Sequence, residues 1–280
     1  MPDLQRPRSD DLDAVAARLR HHIVTSTTAA GSGHPSTSLS MVEIIAVLYR
    51  GGVLRYDPSD PVNPNRDRFI LSKGHGAPAL YAVLAEAGYL DASELTELRK
   101  MGSRLEGHPN MCRVPGVEAS TGSLGQGLSI GVGHALGLRL DGSDARVYVM
   151  VGDGESEQGQ VWEAAMFAGN HSLSNLTLIV DRNGNQQTGP VDEIQPLSPL
   201  EDKFEAFHWA VRTIDGHSLN EVQEAFEWAR SVGDRPQVVI ANTIKGKGVS
   251  FLEERQSSYH GKPLNEDQAA IALEEIGASV

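Results

Sequence analysis

Four apolar runs, each closed by a polar, glycine-rich stretch, constrain this chain more than any other feature. "DRFILSKG" (67–74), "ARVYVMVGD" (145–153), "LTLIVDRNG" (176–184) and "QVVIANTIKG" (237–246) have the length and β-branched content of buried strands, and "WAVRTID" (209–215) reads as a fifth. Helical patterns lie at 10–28, 40–50, 76–88, 126–140, 157–170 and 218–232. Apolar strands alternating with helices predict an α/β fold, a parallel sheet with helices on both faces. Such sheets bind ligands beyond the carboxyl ends of their strands, at the topological switch point, so "SKGHGAP", "GDGES", "DRNGNQQTG" and "NTIKGKG" are where chemistry is expected. Without repeats or a low-complexity linker, a single domain over 1–280 is expected; 186–208 is the longest region lacking clear periodicity.

The formal net charge of −13 and the lack of a Lys/Arg cluster argue against a nucleic-acid partner. An anion bound here must be held locally, by metal, backbone amides or histidines. No apolar stretch reaches the length of a membrane span, and "MPDLQRPRSDDLDAVAARLR" has acids where an export signal is apolar, so a soluble, cytoplasmic protein without membrane association is expected. Cys112 is the only cysteine, in keeping with a reducing compartment.

Asp153 directly follows "VYVMV", which places its carboxylate at a strand end, and Gly152 and Gly154 let backbone approach a ligand. An isolated GDG more often marks an Asx-turn than a ligand site. The next strand end, "LIVDRNGN", brings Asn183 and a bent backbone to the same edge. One carboxylate, one amide oxygen and one backbone carbonyl are hard ligands, too few to enclose magnesium but enough once a ligand's phosphates complete the octahedron. Together the two strand ends predict a metal-diphosphate site.

Histidines recur in glycine or proline loops: His34 in "GSGHPS", His75 in "SKGHGA", His108 in "EGHPN" and His260 in "SYHGKP". Neutral imidazoles can donate to phosphate oxygens and exchange protons near neutral pH. "STGSLGQGLSIGVGHALG" (120–137) lacks the Gly-Lys-Ser/Thr ending of a triphosphate loop and precedes its strand, so its glycines also fit close helix packing. Trp162, Met166 and Phe167 beside Ala164, Ala165 and Ala168 form either core or a contact with another chain.

In this order, from about Leu12 to Lys262, these stretches resemble the amino-terminal half of transketolase, and the set is far more specific than any one motif. The resemblance implies the thiamine diphosphate-binding fold, with thiamine diphosphate and Mg2+ (or Ca2+ or Mn2+) as cofactors. Asp153 and Asn183 would bind the metal by side chains and Asn185 by its carbonyl, and Gly152, Gly154 and Asn183 would lie against the cofactor. His75 and His260 match histidines near the diphosphate; His34 and His108, with His260, match the catalytic set facing the sugar; Gly122 and Leu124 fall where the family cradles the cofactor's rings.

The implied reaction moves a two-carbon ketol unit from a ketose to an aldose. The chain stops before a pyrimidine-binding domain would begin, so a partner subunit carrying that domain and an activating glutamate is expected, in an α2β2 assembly. Two rivals stand beside this reading: a subunit of another split thiamine diphosphate enzyme, such as a 2-oxo acid dehydrogenase or decarboxylase, and a non-catalytic scaffold. "SGHP", "KGHG" and "GHP" in this order favour transketolase over the first.

There are departures from the family pattern. Gln158 stands where a glutamate of an acidic path between paired sites is usual, while that path's second acid, near the cofactor, is present as Glu163. Glu157 is adjacent but would point elsewhere on a helix. Ser36 replaces a glycine of "GHPGG", and Tyr259 stands where tryptophan is frequent. Weakened proton coupling between sites is predicted; Gln158→Glu should change the cooperativity of cofactor activation, and a titration unchanged by the substitution would remove the prediction.

Overall fold

The computed structural model describes residues 4–9 and 11–277, so Asp10, at the start of the expected first helix, lies outside the described residues. Strands β1 (Arg68–Leu71), β2 (Val147–Gly152), β3 (Leu176–Arg182), β4 (Ala210–Asp215) and β5 (Gln237–Asn242) form one sheet, parallel throughout, in the order β1-β2-β3-β5-β4. All five expected strands are present. β5 returns between β3 and β4, which sets the carboxyl ends of β3 and β5 side by side, Arg182 against Asn242.

Side chains along the strands alternate between two cores. Tyr148 and Met150 of β2, Ile179 of β3 and Val239 and Ala241 of β5 face one core; Val147, Val149 and Val151, Leu178 and Val180, and Val238 and Ile240 face the other. A strand buried on both faces reads as an unbroken apolar run, which is why these three were legible.

The helices are α1 (Leu12–Ala30), α2 (Pro35–Leu39), α3 (Val42–Arg50), α4 (Ala77–Glu86), α5 (Gln126–Leu140), α6 (Gly159–Asn170), α7 (Val191–Ile194), α8 (Leu200–Ala206), α9 (Leu219–Ser231), α10 (Ser250–Glu254) and α11 (Glu266–Ile276). Residues of α1, α3, α4, α9 and α11 build the first core, and residues of α5, α6 and α8 the second. α1 starts at Asp11, whose Oδ1 accepts the Ala14 amide at 2.8 Å, and stops at Gly31 in the left-handed region.

The aperiodic stretch 186–208 contains α7 and α8, too short to show a helical period; Leu200 and Phe204 bury one side of α8. α11 was not expected, although Asn265 and Gln268 form a capping box at its start. α6 begins at Gly159, not 157: a 3-10 turn over Gly154–Glu157 comes first, and Gln158 between them is extended with ψ 128°. Among the described residues no helix is long and apolar enough to cross a membrane.

Candidate active site

The carboxyl ends of β1, β2, β3 and β5 open into a cleft of about 390 Å³. Asp153, at the end of β2, is 3 % exposed. Its carboxylate accepts the Gly154 amide at 2.9 Å and the Gly184 amide at 2.5 Å, which ties the β2 turn to the β3 turn. Burial, then repulsion from Asp181, pushes its carboxyl up to about 6. Among the described residues no Lys, Arg or His forms an ion pair with it.

Asn183 is buried at the end of β3, and its Oδ1 accepts the Asn185 amide at 3.2 Å. A short bridge between Asn185 and Pro190 closes the loop beyond it. A buried carboxylate without a cationic side-chain partner, beside a buried amide oxygen and a bent backbone, is a donor set that fits magnesium or another hard divalent ion, whose charge would hold the carboxylate ionised.

Sequence reading did not single out the two buried lysines. Lys73, 1 % exposed, pairs with the fully buried Asp181 and donates to the Thr37 carbonyl at 3.1 Å. Asp181 also accepts from Ser40 Oγ at 2.6 Å and from Thr243. Burial opposes its ionisation most, but the Lys73 ammonium together with the Ser40 and Thr243 hydrogen bonds outweighs that and holds the carboxyl below its ordinary value. Lys245, 1 % exposed after β5, approaches His260 Nδ1 at 2.8 Å. Burial, then the Lys73 charge, lowers its ammonium to about 8. Both stand in the glycine-rich stretches where chemistry is expected, yet a lysine there carries no signal of burial in the sequence.

His34, His75 and His260 cluster, with ring centroids 5.3, 5.4 and 5.6 Å apart. Burial lowers His34 and His260 to about 4, with Arg99 next in weight at the first and Lys245 at the second, and holds His75 well below its ordinary value. All three are therefore neutral at pH 7. Lys245 can only donate, so His260 accepts at Nδ1 and carries its hydrogen on Nε2, a donor for an anion's oxygen. His34 Nδ1 is buried without a protein partner among the described residues.

His108 lies behind the "TGSLGQG" loop. A Cβ on Gly122 would meet its ring at 3.2 Å, and Gly122 has φ +152°, so only glycine suits this bend. Leu124 is 39 % exposed at the cleft wall. The loop is braced by Glu155, whose carboxylate accepts the Gly125 amide at 2.8 Å, the Gly152 amide at 3.1 Å and Ser72 Oγ at 2.5 Å. Ser72 Oγ in turn accepts the Gly127 amide at 3.1 Å. One buried acid thus joins β1, β2 and the start of α5. Gly154 leaves room that a Cβ would take from Gln186, 2.8 Å away.

His34, His75, His108, His260, Gly122, Leu124, Gly152, Asp153, Gly154, Asn183 and Asn185 all border the cleft. Glu163 does not; it is exposed on α6. Glu157 was expected to point away, but it ends a 3-10 turn and borders the cleft together with Gln158. The break in helical geometry before Gly159 moves both side chains to the rim.

A parallel sheet whose carboxyl edge gathers an unpaired buried acid, two buried ammonium groups and neutral imidazoles around a glycine-lined cleft defines a cofactor-binding α/β domain for a diphosphate. Residues 12–279 match the model of the family described as transketolase, thiamine diphosphate binding domain, and the chain belongs to that family. It is 45 % identical over 271 residues to the 6-deoxy-6-sulfo-D-fructose transketolase subunit SqwG of Clostridium sp. (strain MSTE9), covering 96 % of this chain and 98 % of that one. With an apulose-4-phosphate transketolase subunit of Actinobacillus succinogenes it shares 42 % identity over 268 residues, 95 % of this chain and 96 % of the other.

Transketolase of Rattus norvegicus is 44 % identical over 280 residues, but the chain spans only 44 % of its length. The solved transketolase of Campylobacter jejuni superposes with a TM-score of 0.88 at 34 % identity, over 96 % of this chain and 43 % of that one. Transketolase thiamine diphosphate binding is thus the family's defining property, as the motif order had implied.

Proposed function

We propose that this chain is the cofactor-binding subunit of a heteromeric transketolase that transfers a two-carbon ketol unit from a ketose or its phosphate to an aldose or its phosphate. The observation that carries the reading is the convergence of four strand ends on one cleft. Its chain-length likeness to relatives named as transketolase subunits supports a separate partner. That partner supplies the pyrimidine-binding domain, the glutamate that activates the aminopyrimidine and most sugar-phosphate contacts, in an α2β2 assembly, and the complex works in the cytoplasm.

In this reading the chain's own residues bind and orient. The Asp153 carboxylate, the Asn183 side chain and the Asn185 carbonyl hold the divalent ion, magnesium by preference. His75, Lys245 and the Nε2 hydrogen of His260 face the diphosphate, with Gly152 and Gly154 leaving space for it. Gly122 and Leu124 pack against the rings. His34 and His108, with His260, orient the sugar and move protons at its hydroxyl oxygens. Thiamine diphosphate, when bound, supplies the ring carbon that acts as nucleophile toward the ketose carbonyl.

The test is a ketol-transfer assay with thiamine diphosphate and magnesium, comparing this chain alone with a mixture containing the protein encoded beside it. Activity confined to the mixture is expected. Full activity of the chain alone would overturn the split-subunit reading, and a mixture that binds neither cofactor nor metal would favour a scaffold.

A further inference from the structure

The loop after β5, residues 243–249, presents Lys245 to the cleft, yet its backbone is tied down from outside the cleft. The Ile244 amide donates to His217 Nε2 at 2.8 Å, and the Lys247 carbonyl accepts from Arg20 Nε at 3.2 Å. The Gly246 amide donates to the Ser36 carbonyl at 2.8 Å. His217 Nδ1 lies 3.0 Å from Glu43 Oε2, and Glu43 also pairs with Arg20. The side chains of His217 and Glu43 are 11 % and 9 % exposed. His217, Glu43 and Arg20 come from the β4–α9 turn, α3 and α1, and none borders the cleft.

An amide N–H can only donate, so His217 Nε2 must offer its lone pair, and the imidazole's hydrogen sits on Nδ1, directed at Glu43. Glu43 thereby selects the tautomer that can hold Ile244, the residue next to Lys245. We propose that His217, set by Glu43 and Arg20, is a positioning residue that holds the Lys245 loop at the diphosphate end of the cleft. This rests on the cleft being the thiamine diphosphate site.

Two substitutions separate positioning from simple pairing of a buried acid. His217→Gln can place an acceptor oxygen where Nε2 stood and keep Ile244. His217→Asn can place a donor where Nδ1 stood and keep Glu43, but it offers Ile244 nothing. Hydrogen exchange over residues 243–249 of the full chain, and thiamine diphosphate affinity with magnesium in the assembled enzyme, are measured for both beside the parent, with melting temperature as the control for folding.

His217→Asn should speed exchange in this segment about tenfold and weaken cofactor binding by a similar factor, while His217→Gln stays within about threefold of the parent. Exchange unchanged in His217→Asn, or glutamine faring no better than asparagine, overturns the proposal. An Asp153→Ala control that binds cofactor as the parent does would instead overturn the cofactor-site reading, and the exchange comparison would still decide the anchoring.

Discussion

Asp153→Ala will lower ketol transfer in the assembled enzyme by about a thousandfold and remove the magnesium dependence of cofactor binding. A divalent ion held by Asp153 would contribute several kcal/mol, and each 1.4 kcal/mol is a factor of ten. The side chain also accepts the Gly154 and Gly184 amides, so alanine leaves two donors without their acceptor and loosens the turns after β2 and β3. Asp153→Asn separates these effects, since its oxygen retains one acceptor and the charge is gone. The asparagine variant should melt between the alanine variant and the parent, since one of the two amides keeps its acceptor, and still fail to retain thiamine diphosphate. Magnesium-dependent binding by that variant, measured by calorimetry, would remove Asp153 from the metal's ligand set.

Lys73→Met should cost about 3–5 kcal/mol of stability, a fall in melting temperature of roughly 10 °C, because it strands a fully buried carboxylate. Asp181 would keep Ser40 and Thr243 as donors but lose the one cation that pairs with it among the described residues. Lys73→Met combined with Asp181→Asn should recover most of the loss, since a pair replaced together leaves no uncompensated charge. The pH dependence has a definite sign. In the parent, Asp181 is held below its ordinary 3.8, so the pair's contribution is present above that pH and is lost as pH falls through the lower folded value. In the single variant, burial alone would raise the carboxyl, folding would take up a proton, and the deficit should shrink as pH falls from 7 toward 5. A melt of the single variant within about 1 kcal/mol of the parent would contradict this account.

The sheet was legible because β2, β3 and β5 are buried on both faces and cannot be written in other than apolar residues. The cleft edge was legible where chemistry demands an uncommon residue at a strand end, as at Asp153 and Asn183, whereas Gly122 was singled out only through the resemblance, the residues of its loop reading equally as close helix packing. It was not legible where function depends on burial. Nothing in "SKGHG" or "NTIKGKG" distinguishes Lys73 and Lys245 from surface lysines, and Asp181 looks like one more polar residue at a strand end. Glu155 escaped for a related reason: its three contacts come from residues 30, 3 and 83 positions away. Glu157 was misjudged because a continuous helix was assumed where the chain makes a 3-10 turn and an extended step.

Among the described residues the Lys245 ammonium at the floor of the cleft is paired with no carboxylate, whereas the Lys73 charge is met by Asp181, and the chain as a whole carries a formal charge of −13. An anionic cofactor is therefore repelled at a distance and attracted only once inside. Dissolved ions screen the first effect over about 8 Å at physiological ionic strength and barely reach the second. Added salt should accordingly speed the cofactor's arrival and leave its residence time nearly unchanged, so that the holoenzyme tightens slightly as ionic strength rises, opposite to the behaviour of a phosphate site on an open basic surface.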